Sequence, residues 1–209
     1  MLREGLRDPE VERVLVIGRT SIGNQNEKVR EIVHRDFLDF SSIEDQLGGY
    51  DACFFCLGIS SVGMKEQDYK RVTYDYTMAA AQVLAKQNPG MTFIYVSGTG
   101  TDSTEKGRLA WARVKGKTEN ALFKLPFKAY MFRPGYIQPL DGIKSKTRLY
   151  GALYSIVGAL YPVLRTMFPK YVTTTELVGR AMICVAKRGA PKRLLENEDI
   201  NHCCDDSAA

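Results

Sequence analysis

The chain has 209 residues, of which 44% are hydrophobic and 25% charged, with five cysteines and a net charge of +5. That length suffices for one well-buried domain without disulfide or metal staples, and the composition is that of an ordinary soluble globular protein. The mild positive charge suits an anionic cofactor. It lacks the dense basic cluster that a nucleic-acid partner would require.

Residues 13–17 read as a strand closed by Gly18, and residues 28–33 as a second, weaker one. Ser41 with Glu44 three positions later is a capping-box pattern for a short helix. Residues 51–56 form a third strand. Cys53 and Cys56 within it have Cys-x-x-Cys spacing, but residues three apart on a strand point to opposite faces. They read as small buried hydrophobes, not as a metal or disulfide pair.

Residues 67–87 are helical, with Val72, Tyr76, Ala79, Ala80, Val83 and Leu84 recurring on one face, and Asn88-Pro89-Gly90 ends that helix. Residues 92–97 are an apolar, β-branched and aromatic run, the signature of a core strand. A helix over 106–124 and a strand over 128–132 follow. Residues 133–148 form a loop with two prolines and then the basic residues Lys144, Lys146 and Arg148. The uncharged run 150–164 contains Pro162 and falls short of the roughly 20 apolar residues that a spanning helix needs. It reads as a core or substrate-pocket helix, with a peripheral membrane contact over 144–165 as the alternative. A helix over 176–187, a short strand over 193–196 and a polar tail over 197–209, expected to fray, complete the chain. His202, Cys203 and Cys204 in that tail make no zinc set, and no metal site is expected elsewhere.

Strands alternating with helices imply an α/β fold, a Rossmann-like, doubly wound parallel sheet with right-handed crossovers. A single domain over 1–196 is expected, with 133–170 as its substrate-side loop and helix. The odd cysteine count and the lack of a signal peptide favour a reducing cytoplasm and argue against disulfides.

Open α/β sheets bind ligands at the carboxyl ends of their strands, which directs attention to the residues just after each one. Gly18-Arg19 follows the first strand; an arginine there can fork two hydrogen bonds to a 2′-phosphate, which favours NADP over NAD. A solvated surface arginine is the plain alternative. Cys56-Leu57-Gly58 is a small-residue turn that would let backbone approach a dinucleotide, or simply a tight turn. Ser97 and Thr99, in Ser97-Gly98-Thr99-Gly100, are alternative hydroxyls for polarising a carbonyl. Lys115, on the following helix, can point back at the same mouth.

These segments, in this order, resemble the short-chain dehydrogenase/reductase superfamily in its extended and atypical members, and within it the branch of the Tat-interacting-protein oxidoreductase and its epimerase-like, NAD(P)-binding relatives. Val14 to Arg19 resembles the second strand and its cofactor-selecting arginine. Cys56-Leu57-Gly58 resembles the turn after the fourth strand, Val114 to Glu119 the active-site helix, and Phe132-Arg133-Pro134-Gly135 the turn after the sixth. Tyr171 to Thr174 resembles the late loop and helix start. The resemblance implies that Asp36-Phe37 contacts the adenine, that Pro134 and Gly135 border the cofactor, and that Lys115 holds the nicotinamide ribose.

Three departures qualify the likeness. The family's first strand and glycine-rich loop would lie before Met1, which makes the domain N-terminally incomplete and NADP binding weak or absent. The family's Tyr-x-x-x-Lys reads Trp111-x-x-x-Lys115, and the supporting Asn reads Thr73. Tryptophan has an N–H donor but no ionisable hydroxyl, so it cannot transfer the proton. Two functions stay open. One is an NADP-dependent oxidoreductase or epimerase-like enzyme for a small, lipophilic substrate, with Ser97, Thr99, Trp111 and Lys115 at its centre. The other is a silent NADP-sensing protein or a non-binding remnant.

Overall fold

A computed structural model describes residues 1–140 and 168–205 of the chain. The expectations for the uncharged run 150–164 and for the basic residues beside it lie outside the described residues. Eight strands are present among the described residues: β1 (Val14–Gly18), β2 (Val29–Val33), β3 (Ala52–Phe55), β4 (Thr92–Val96), β5 (Lys128–Arg133), β6 (Tyr136–Gln138), β7 (Val172–Thr174) and β8 (Leu194–Glu196). The helices are α1 (Leu2–Arg7), α2 (Glu66–Lys70), α3 (Tyr76–Gln87), α4 (Ala110–Leu122), α5 (Thr175–Arg188) and α6 (Asn197–His202). Every strand pairing among the described residues is parallel.

The centre of the molecule is β4, whose alternating side chains serve two cores. Phe93 and Tyr95 pack on one face with Ala80, Ala81 and Leu122 from α3 and α4. Ile94 packs on the other with Phe132 and with Ala181, Met182 and Val185 from α5. A strand buried on both faces has no polar alternation, which is why 92–96 reads as an unbroken apolar run. The architecture is the doubly wound α/β fold expected from the alternation of elements.

The sheet is nevertheless split. Strands β3-β4-β5-β8 form one sheet and β1-β2 another, so β1 and β3 are each bonded along a single edge. Both contribute to the same core, through Leu15 and Ile17 on one side and Cys53 and Phe55 on the other. The Arg13 side chain bridges the starts of the two strands, donating to the Gly49 carbonyl and lying 5.0 Å over the Tyr50 ring. A long side chain spans the interval where a backbone ladder would otherwise run. All five residues of β1 stay half-buried despite their apolar sequence. The short pair β6-β7 makes a third sheet beyond β5.

Four local expectations differ from the structure. The helix expected over 67–87 is interrupted by a widened π-helical turn at Arg71–Asp75. Ser41 and Glu44 form a 3₁₀ turn instead of a capping box; Glu44 accepts from Lys86 at 2.7 Å and Gln87 at 3.0 Å. The tail expected to fray from Asn197 begins with α6, held by a true capping box between Glu196 and Asp199 and by burial of Ile200. Composition also argued against disulfides, yet Cys184 and Cys204 are bonded. Among the described residues, no helix is long and apolar enough to cross a membrane.

Candidate functional site

The turns that leave β4 and β5 are stitched together. Ser97 N donates to the Phe132 carbonyl at 2.9 Å and Thr99 N to the Pro134 carbonyl at 3.0 Å. Gly98 and Gly100 sit at φ of 129° and 86°, backbone that favours glycine, and this lets the chain turn sharply off the strand end. A Cβ on Gly100 would stand 3.3 Å from the Trp111 ring, so this turn and the first turn of α4 are in close contact. Lys115 lies one helical turn beyond Trp111 and donates its ammonium to the Ser97 carbonyl. Four of the sequence-derived residues (Ser97, Thr99, Trp111 and Lys115), with Pro134 and Gly135, therefore gather at one strand mouth.

The two hydroxyls point inward. Ser97 Oγ donates to Glu119 at 2.5 Å and also lies 3.1 Å from the Phe132 carbonyl; Thr99 Oγ1 donates to the Arg133 carbonyl at 3.1 Å. Glu119 is fully buried and takes the guanidinium of Arg133 through both Nε and Nη2, with the Nε contact at 3.0 Å. Arg133 reaches on to Ser103 Oγ at 2.6 Å and to Glu196 at 3.3 Å. This buried pair was missed in the sequence. Its signal is the four-residue spacing of Lys115 and Glu119, which puts a carboxylate and an amine on one helix face, toward the strand ends.

Burial lowers the Lys115 ammonium to about 8, only partly opposed by the charge of Glu119. The sign follows from linkage. An unfolded lysine stays protonated to its ordinary value of 10.5, so between about 8 and 10.5 the unfolded chain binds more protons and this group makes stability rise with pH. Lys115→Met removes that dependence. Its stability gain over the unmutated protein should be larger near pH 7 than near pH 10 in paired urea titrations; an equal difference at both would contradict the assignment.

A second cluster lies after β1 and β2. Arg19 is exposed, and no described residue pairs with it. The loop beyond it is braced by Glu31, which accepts from Ser21 Oγ at 2.6 Å and Ile22 N at 2.7 Å. Those bonds, the one from Ser21 foremost, hold the Glu31 carboxyl below its usual value. Asp36 accepts from Leu38 N at 2.9 Å, a turn cap, while Phe37 is buried among His34, Phe40 and Tyr76. The His34 ring ties this loop through the Asp36 and Asp39 carbonyls at 2.6 and 2.8 Å. The structure thus gives Asp36 and Phe37 local structural partners. Gly18 is half-buried at the end of β1.

Between the two clusters, Cys56 is exposed, Leu57 packs on the core, and a Cβ on Gly58 would meet no protein atom. Thr73 sits buried in the widened turn, and its carbonyl accepts from Thr77 Oγ1 at 2.6 Å. That turn packs against α4. Near the Gly135 turn, Thr173 Oγ1 is buried with no hydrogen-bond partner among the described residues. A separate cleft of about 260 Å³, between Tyr50, Asp51, Thr92 and Lys128, opens at the opposite ends of the strands.

The carboxyl ends of β1 to β5 thus carry an exposed guanidinium at one end, a glycine turn in the middle, and an amine with a flat aromatic side chain at the other. No family model matches the chain. Protein HTATIP2 from Rattus norvegicus is 27% identical over 218 residues, spanning 99% of this chain and 84% of that protein. Among solved structures, DesIV, a dTDP-glucose 4,6-dehydratase from Streptomyces venezuelae with NAD and TYD bound, superposes with a TM-score of 0.62 at 14% identity, covering 96% of this chain and 73% of its own. The UDP-glucose 4-epimerase of Thermotoga maritima, solved with UDP-glucose, gives 0.59 at 15% identity over 88% and 70%. The fold is the Rossmann-like α/β fold that these structures share, as the alternation of elements implied.

Proposed function

We propose that this chain is an NADP(H)-binding protein that keeps the dinucleotide-reading parts of its fold and has lost the proton-transferring part. The observation that carries this reading is the fate of the hydroxyls at the strand mouth. Ser97 and Thr99 both donate into the fold, and position 111 offers an indole in place of a phenol. A carbonyl placed there would meet no ionisable hydroxyl. Arg19, by contrast, is exposed just past β1, and a guanidinium after that strand supports recognition of a 2′-phosphate. Binding at this site is expected to be weak, because β1 and β3 are not joined and the pyrophosphate is left to the turns that follow them.

A second reading, an active NADP-dependent oxidoreductase on a lipophilic carbonyl, draws on Lys115. Held at about 8, this amine can exchange a proton near neutral pH. Substitution separates the two readings. Trp111→Tyr places a phenol one helical turn before Lys115, on the same face. Under the binding reading, the unmutated protein with NADPH and a lipophilic ketone stays at background. Trp111→Tyr then raises turnover by about a hundredfold or more, within the range a positioned acid contributes, and Thr73→Asn adds to it. Brisk turnover by the unmutated protein, unimproved by Trp111→Tyr, would favour the enzyme reading instead.

A further inference from the structure

The residue that fixes the Gly135 turn belongs to α6, at the far end of the chain from the turns it supports. Asn197 is 1% exposed. Its Oδ1 accepts from Gly135 N at 2.9 Å and its Nδ2 donates to the Val172 carbonyl at 3.1 Å. Asn201, one helical turn later, donates to the same carbonyl at 2.9 Å. The turn has no slack of its own. A Cβ on Gly135 would stand 2.9 Å from the carbonyl carbon of Tyr171, the residue that leads into β7. Gly135 in turn is adjacent to Pro134, whose carbonyl receives Thr99 N. A short polar path therefore runs from the first residue of α6 to the strand mouth.

The other end of α6 is held covalently. The six-residue helix ends at His202, and Cys204 just beyond it is bonded to Cys184 in the middle of α5, with Cα atoms 5.9 Å apart. Both cysteines are half-buried, so the bond can be reached by an exchanging thiol. A helix of six residues has little stability apart from what it packs against. We propose that Cys184 and Cys204 form a thiol–disulfide switch and that Asn197 is the positioning residue through which it sets the order of the Pro134–Gly135 turn. The closed state forms by exchange with a low-molecular-weight disulfide. Two protein thiols and one such disulfide give the Cys184–Cys204 bond and two low-molecular-weight thiols. Two electrons pass from the protein sulfurs to the reagent, and the two thiol protons go to the departing thiolates.

The order of the turn can be read without any cofactor. Its effect on NADPH rests on the function proposed above. The full chain is equilibrated in glutathione with excess glutathione disulfide, or in excess reductant. Free thiols, amide exchange at Gly135 and NADPH affinity are then measured. Free thiols fall from the five of the reduced chain by one disulfide's worth on oxidation, and the Gly135 amide exchanges about tenfold more slowly, near the lower end of ordinary couplings between sites. Cys204→Ser shows the fast exchange in both conditions, whereas Cys203→Ser behaves as the unmutated protein. Asn197→Ala exchanges fast at Gly135 even when oxidised; Asn201→Ala is the milder variant should Asn197→Ala not fold. A thiol count that stays at five under oxidation, or Gly135 exchange equal in the two redox states, overturns the proposal. Redox-dependent exchange with no NADPH binding in either state overturns the cofactor reading and leaves the switch standing.

Discussion

Glu119→Ala is expected to destabilise the fold by about 3–5 kcal/mol, the usual consequence of removing one partner of a buried ion pair. The carboxylate is fully buried and receives Ser97 Oγ together with two nitrogens of Arg133. Without it a guanidinium, itself only slightly exposed, keeps its charge among the ends of β4 and β5. Domains are stable by roughly 5–15 kcal/mol, so the loss is a large share of the total. For a chain of this size the melting temperature should drop on the order of 10 °C. Glu119→Leu combined with Arg133→Met removes both charges and should recover part of that loss. A Glu119→Ala variant melting within about 2 °C of the unmutated protein would show the pair to be energetically idle.

The second large effect is expected at Gly116. Alanine is ordinarily favoured over glycine in a helix interior, by about 1 kcal/mol. Here the sign should reverse. A Cβ on Gly116 would overlap the Asp102 carbonyl oxygen and stand 2.5 Å from its carbon. That segment cannot simply move aside. Asp102 N is bonded to the Ala112 carbonyl of α4 at 3.1 Å, and the Asp102 carboxylate holds Thr104 N, Thr104 Oγ1 and Gly107 N. Gly116→Ala should therefore cost about 3 kcal/mol, at the upper end of overpacking. It should also displace Lys115, its immediate neighbour, from the Ser97 carbonyl. A variant more stable than the parent would mean that the 101–103 segment is not seated on α4.

What could be read from the sequence was whatever depends on short-range pattern. The core run 92–96, the helix carrying Lys115 and the strand β1 closed by Gly18 all declare themselves through periodicity or through a residue type just past a strand. What stayed hidden depends on partners far along the chain. Ser97 looked like a catalytic hydroxyl because nothing local reveals that Glu119 lies under it. Asn197 looked like the start of a fraying tail because its partners, Gly135 and Val172, are distant in sequence. Cys184 and Cys204 fell to a compositional argument that cannot see two cysteines meeting across a pair of packed helices. The split between β1 and β3 is a fact of pairing, and apolar pattern alone does not register which edges are joined.

We propose that Arg19 gives this chain its preference for a 2′-phosphorylated dinucleotide. Its direct measurement is a calorimetric or fluorescence titration of NADPH and NADH, each into the unmutated protein and into Arg19→Ala. NADPH is expected to bind more tightly than NADH by about tenfold, corresponding to one charge-assisted phosphate contact, even if both bind weakly. Arg19→Ala should bring NADPH down to the NADH value and leave NADH unchanged. Equal affinities in the unmutated protein, or an Arg19→Ala variant that keeps the preference, would contradict it.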